Sequence, residues 1–182
     1  MNSHLQIISG KYRGRKLAMP PDARPTQNRA RIALFNMLTP MISQNIVVWD
    51  AFAGSGAFGI EFLSRNAAST VIFTDNASES IKTVRKNLTG IDGNAIIRLG
   101  DAIAAADEFG KAADIVFIDP PYDKPKLGEN LVEKLAIIAK PGTIIVWETE
   151  TTYNPTIPKN MTIIKDKTYG RARLLILNHA ST

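Results

Sequence analysis

Ile46-Val47-Val48-Trp49-Asp50-Ala51-Phe52-Ala53-Gly54-Ser55-Gly56-Ala57-Phe58-Gly59 decides how this chain is read. An apolar run, Ile46–Trp49, ends on an acid. Glycines follow in G-x-G-x-x-G spacing at Gly54, Gly56 and Gly59, and a helical pattern takes over near residues 57–66. The run has the length and character of a buried strand. The glycines let backbone pass close to a ligand, and the helix start offers free N–H donors. Strand, tight turn and helix in that order open an α/β sheet.

Downstream, the same alternation repeats. Thr70–Phe73 is a strand leading to Asp75, and Ala77–Leu88 a helix. Ala95–Leu99 is a strand, 102–109 a short helix, Asp114–Ile118 a strand and Leu127–Ala139 a helix. Pro141-Gly142 turns into a fifth strand, Thr143–Trp147. Such alternation predicts right-handed crossovers and a mainly parallel, Rossmann-like sheet. The end differs. Met161–Lys165 and Leu174–Leu177, with Tyr169-Gly170 between them, predict an antiparallel hairpin at the sheet edge.

Upstream, 5–9 and 15–19 read as two short strands joined by a Gly10–Gly14 turn and closed by Pro20-Pro21. Thr26 is the expected N-cap of a helix running to Leu38, with Ile32, Leu34, Phe35 and Leu38 as its apolar positions. Residues 1–45 carry seven basic side chains (Lys11, Arg13, Arg15, Lys16, Arg24, Arg29, Arg31) against Asp22, a balance of +6. Residues 46–182 hold fifteen Lys/Arg and sixteen Asp/Glu, so the +5 net charge belongs to the first quarter. The predicted division is a basic hairpin-helix extension over 1–45 and an α/β domain over 46–182. A cationic segment on a near-neutral body points to a polyanion partner.

The 182 residues, 45% hydrophobic and 21% charged, fit one globular domain with a small appendage. No stretch approaches membrane-spanning length, and the N-terminus lacks an apolar signal core. Cysteine is absent, which excludes disulfides, thiol nucleophiles and Cys-ligated metals. A cytosolic location is expected. His4 and His179 have no partner motif and read as terminal surface residues.

The glycine spacing alone suggests a dinucleotide. Asp50 argues against it, because a carboxylate at the strand tip faces pyrophosphate unfavourably. It suits a cationic ligand. S-adenosylmethionine carries an ammonium and a sulfonium and no phosphate. Asp50, Asp75 and Asp101 fall at or just after the ends of successive strands, where an open parallel sheet binds ligands. Asp75 stands where an acid accepts from ribose hydroxyls, and Asp101 could accept from an adenine amine. Singly, each also reads as a turn or N-cap aspartate. A fourth strand ends in Asp119-Pro120-Pro121-Tyr122. Its carboxylate can accept from an exocyclic amine, its prolines leave carbonyls free, and its ring offers a stacking face. A Pro-Pro turn capping a buried strand is the alternative.

With these motifs the core resembles the class I S-adenosylmethionine-dependent methyltransferases, and Asp119–Tyr122 is similar to their amino-methylating motif. Ser9-Gly10-Lys11-Tyr12-Arg13-Gly14-Arg15-Lys16-Leu17, Arg24-Pro25-Thr26, Arg29, Arg31 and Leu34-Phe35-Asn36 sharpen the likeness. So do Glu61, Leu63-Ser64-Arg65 and Tyr169-Gly170. Together they resemble the bacterial 16S ribosomal RNA guanine-N2 methyltransferase family of the small subunit. The resemblance implies methyl transfer to a guanine N2 amine, with Asp119, Pro120, Pro121 and Tyr122 catalytic. It implies a cofactor site of Asp50, Phe52, Ala53, Gly54, Gly56, Asp75 and Asp101. It implies RNA contacts at Lys11, Arg13, Arg15, Arg24, Arg29 and Arg31. The expected partner is 16S rRNA or the assembling small subunit; a monomer without metal or membrane is expected. The chain departs from the family pattern at Asn28, Ile32, Asn66 and Asp75. Residues 119–122 do not by themselves separate guanine N2 from adenine N6, so another DNA or RNA amino-methyltransferase is the nearest alternative. A nicotinamide-dependent oxidoreductase is a more distant one.

Overall fold

The computed structural model describes residues 5–21 and 28–179. Its elements are α1 (Asn28–Leu38), a 3-10 turn (Thr39–Met41), β1 (Val47–Asp50), α2 (Ala57–Arg65), β2 (Thr70–Asp75), α3 (Ser78–Leu88) and β3 (Asn94–Leu99). They continue with α4 (Ala102–Phe109), β4 (Ile115–Ile118), α5 (Lys126–Ile138), β5 (Ile144–Glu150), β6 (Met161–Tyr169) and β7 (Ala172–His179). One sheet holds the seven strands in the order β3-β2-β1-β4-β5-β7-β6. β1 to β5 run parallel, and β7 lies antiparallel between β5 and β6. The expected α/β, Rossmann-like sheet with an antiparallel C-terminal pair is what forms. β6 outruns its apolar pattern because ladder pairing continues through the exposed Lys165–Thr168 at the sheet edge.

Register fixes which side chains share a face, because level residues on neighbouring strands point the same way and alternate residues return to it. One face carries Val48, Val71, Phe73, Ile115, Phe117, Val146, Leu174 and Ile176 under α1, α2 and α3. The other carries Trp49, Ile72, Val116, Ile118, Ile145, Trp147 and Leu175 under α4 and α5. Burial on both faces is why these strands read as continuous apolar runs.

The N-terminal segment joins the first face. Leu5, Ile7 and Leu17 bury into the same core as Leu34, Phe35 and Leu38 of α1. The two strands expected over 5–9 and 15–19 reduce to a single antiparallel bridge, Gln6 to Lys16. Ile7 N donates to Arg15 O at 2.9 Å and Leu17 N to Leu5 O at 2.9 Å. Beyond Ile7 the backbone turns to α2 for its hydrogen bonds, and the ladder stops. Ile32, expected in the core, is 42% exposed. The Thr26 cap and His4 lie outside the described residues. His179 is not a surface residue: it is 9% exposed, with Nε2 3.1 Å from Ala136 O, because β7 carries it beneath α5.

Candidate active site

The carboxyl ends of β1, β2, β4 and β5 converge on a cleft of about 820 Å³. The register places its acids on one face. Asp50 is level with Phe73 and Phe117, and Val146 is level with Phe117. Two residues further along their strands come Asp75, Asp119 and Glu148, each back on that face.

The glycine turn is built around two of these carboxylates. Gly54 and Gly56 adopt φ of +52° and +75°, which favours glycine and turns β1 sharply into α2. At Gly59 a Cβ would lie 2.3 Å from the Phe73 ring, so its bareness sets how closely α2 packs on β2. Its amide donates to Asp50 Oδ2 at 3.1 Å. Asp75 accepts from Gly54 N at 2.8 Å and from Ala77 N at 2.9 Å. The turn's amides thus serve the protein's own acids rather than a phosphate. Burial, aided by the Asp75 charge, pushes the Asp50 carboxyl up to about 7 against the Gly59 hydrogen bond. Phe52 and Ala53 line the cleft beside them. Asp101 also reaches the cleft and is the N-cap of α4, accepting from Ala104 N at 2.9 Å. Between β1, β2 and α4 the wall offers carboxylates and backbone but, among the described residues, no basic side chain, which fits the charge and polarity of S-adenosylmethionine.

Asp119 follows Ile118 directly and lines the cleft half-buried. No described residue donates a hydrogen bond to its carboxylate. Burial, then the Glu148 and Asp50 charges, hold its pKa well above the usual carboxylate range. Pro120 packs where α5 comes close: a Cβ on Gly128 would sit 2.5 Å from Trp147 Nε1 and 3.1 Å from Pro120 Cγ. Tyr122 stands at the rim, 36% exposed, and its hydroxyl donates to Glu148 Oε1 at 3.2 Å. Phe117 stacks on Phe58 at 4.0 Å and 12° on the same face, and both line the cleft.

Glu148 was not among the residues expected from the sequence. It is 3% exposed yet lines the cleft, and burial raises its carboxyl to about 6 while the Tyr122 hydrogen bond acts the other way. The available signal was an acid directly after Ile144-Ile145-Val146-Trp147, one strand over from Asp119.

The basic segment divides by role. Ile8 N and Ser9 N donate to Glu61 at 2.6 Å and 3.0 Å, and Arg65 Nε donates to Glu61 at 2.7 Å. Lys11 N donates to Ser64 O at 2.7 Å and Tyr12 N to Ser64 Oγ at 3.0 Å. The Arg65 guanidinium sits 4.5 Å over the Phe35 ring. Glu61, Ser64 and Arg65 therefore lock the segment to α2. Arg15 donates to Asn87 O and Thr89 O at the end of α3, Lys11 pairs with Asp92, and Arg31 is buried with a donor on Gln6 O. Arg13, Lys16 and Arg29 are exposed. Arg24 lies outside the described residues.

Comparison with known proteins is consistent along the chain. Residues 5–178 match the family model described as Conserved hypothetical protein 95. Over 174 residues the chain is 36% identical to Ribosomal RNA small subunit methyltransferase D of Escherichia coli, covering 93% of this chain and 87% of that protein. A solved Escherichia coli structure, provisionally named a methyltransferase, superposes with a TM-score of 0.84 at 33% identity, covering 99% of this chain and all of that one. The rRNA methyltransferase aviRa of Streptomyces viridochromogenes shares the fold, with a TM-score of 0.72 at 15% identity, over 90% of this chain and 89% of that one.

Proposed function

This chain belongs to the Conserved hypothetical protein 95 family, and from that membership we propose that it methylates the N2 amine of a guanine in 16S ribosomal RNA. S-adenosylmethionine is the proposed donor, and RNA of the small subunit, free or assembling, the acceptor. One observation carries the chemistry: Asp119 is a half-buried carboxylate lining the cleft with no donor among the described residues, flanked by Pro120, Pro121 and the Tyr122 ring.

Asp50, Asp75 and Asp101, with the backbone of Phe52 to Gly56, would hold the donor, whose sulfonium supplies an electrophilic methyl. The remaining work belongs to the protein. A guanine N2 lone pair is delocalised into the ring and is a poor nucleophile. Asp119 and the Pro120 carbonyl accept the two amine hydrogens, which turns the lone pair out of conjugation and stabilises positive charge as it develops on nitrogen. Tyr122 stacks on the extruded base. Methylation acidifies the amine, so Asp119 takes the proton late and need not be a strong base. The basic segment holds phosphates through Arg13, Arg29 and their neighbours, giving register rather than base identity. A monomer in the cytoplasm, where ribosomes assemble, completes the proposal.

A nicotinamide-dependent reading is disfavoured, because Asp75 and Asp50 take up the Gly54 and Gly59 amides. The test is Asp119→Ala. Loss of this acceptor lowers kcat by about 10²- to 10³-fold while donor affinity, measured by calorimetry, stays within a few-fold. Parallel loss of both quantities contradicts the assignment.

A further inference from the structure

We propose that Glu148 reads the N1 edge of the target base, so that the pair Asp119 and Glu148 selects guanine over bases whose ring nitrogen beside the amine is an acceptor. The inference rests on the amino-methyltransferase reading above and adds to it the group that chooses the base.

Three observations support it. First, β4 and β5 pair with Ile118 level with Trp147, so Asp119 and Glu148 follow at the same level on adjacent strands and point to the same face. Neighbouring strands lie about 4.8 Å apart. Acceptors so placed suit two adjacent donors on the edge of one flat ring. Second, Glu148 retains free capacity. Its Oε1 accepts from the Tyr122 hydroxyl, and no described residue donates to its Oε2, although the residue is 3% exposed. A carboxylate oxygen that a largely buried residue opens onto a cleft is placed to take a donor from a ligand there. Third, the Tyr122 hydroxyl favours the ionised form of Glu148 and so keeps it an acceptor.

Base chemistry supplies the discrimination. Guanine presents its N2 amine and an N1–H side by side, two donor positions for two acceptors. Adenine beside N6 and cytosine beside N4 present a bare ring nitrogen. A lone pair there would face the Glu148 carboxylate with no proton between them, and both acceptors would stay unpaired and desolvated. Sites built to hydrogen-bond a substrate group reject analogues lacking it far more strongly than apolar pockets can. Asp119–Tyr122 recognises an amine on any of the three bases, and Glu148 is what separates them.

The test uses the full chain and small ribosomal subunits reconstituted with guanine, 2-aminopurine or adenine at the modified position. 2-Aminopurine keeps the N2 amine and lacks the N1–H. The wild-type protein is expected to prefer guanine over 2-aminopurine by about 10²-fold or more in kcat/KM. Glu148→Gln, whose amide can donate to a bare ring nitrogen, should shrink that preference at least tenfold, chiefly by gaining on 2-aminopurine. Wild-type rates that are equal on guanine and 2-aminopurine overturn the proposal without any variant, as does an unchanged preference in Glu148→Gln. A preference for adenine would overturn it too. Wild-type inactivity on guanine-containing subunits would instead strike the proposed function itself.

Discussion

Gly10→Ala offers a quantitative test of how the basic segment is held. Gly10 has φ +81°, and a Cβ there would lie 2.0 Å from Ser64 O, 2.3 Å from Ser64 C and 2.8 Å from Arg65 N. All three atoms are helix backbone, so none can swing aside. The loop must retreat by about 1 Å or more to restore ordinary contact. That displacement breaks the 2.7 Å bond from Lys11 N to Ser64 O and the 3.0 Å bond from Tyr12 N to Ser64 Oγ. The left-handed conformation costs about 1–2 kcal/mol with a side chain, and two lost hydrogen bonds about 1 kcal/mol each. The expected destabilisation is roughly 3–4 kcal/mol. Gly14 is the internal control: its φ is +85°, and a Cβ there meets nothing within 4 Å. Gly14→Ala should therefore cost only the conformational part, about 1–2 kcal/mol. Urea denaturation of both variants gives the difference directly, and hydrogen exchange should show residues 5–17 losing protection first in Gly10→Ala. Equal losses in the two variants would refute the contact argument.

Two further outcomes are expected. The Asp50 carboxyl has a folded-state pKa near 7 against 3.8 for the free side chain. The folded state therefore holds the proton more tightly, and this stability, present in full below pH 4, is lost as pH rises through 7. A shift of that size corresponds to up to about 4 kcal/mol. Asp50→Asn should flatten the fall in stability between pH 4 and 7, and an unchanged slope in denaturation midpoints across that range would contradict the account. Replacing the exposed Arg13 and Arg29 by Ala should reduce the slope of log K against log[salt] for RNA binding by about 0.7–0.9 per lost phosphate contact, with stability unchanged. Arg15→Ala should instead loosen the end of α3, seen as faster exchange near Thr89. Equal salt slopes for wild type and the Arg13/Arg29 double variant would remove these residues from the interface.

The sheet was legible because its central strands are buried on both faces and leave continuous apolar runs, as at Ile115–Ile118. The cleft acids were legible because Asp50 and Asp119 directly end such a run and Asp75 follows one by a single residue. Glu148 was hidden by the same logic. The apolar pattern stops at Trp147, while the strand runs to Glu150 because β7 continues to pair with it. A buried acid beyond a pattern's end carries no periodicity. The basic residues show a different limit. Sequence gives their sign and crowding, but the landing point of a guanidinium depends on tertiary packing. Arg15 ends on α3 carbonyls and Arg31 is buried behind the bridge segment, while Arg13 and Arg29 stay exposed. The two N-terminal strands failed for a related reason: Glu61 and Ser64 of α2 supply the partners a ladder would have supplied, and nothing local announces a partner over fifty residues away.

Methyl transfer from labelled S-adenosylmethionine into small ribosomal subunits from cells lacking this protein tests the central claim most directly, with the product nucleoside identified. N2-methylguanosine at a single site is expected, formed at least about a hundredfold more slowly with Asp119→Ala. Label appearing in N6-methyladenosine, or transfer that persists undiminished in Asp119→Ala, would contradict the central claim.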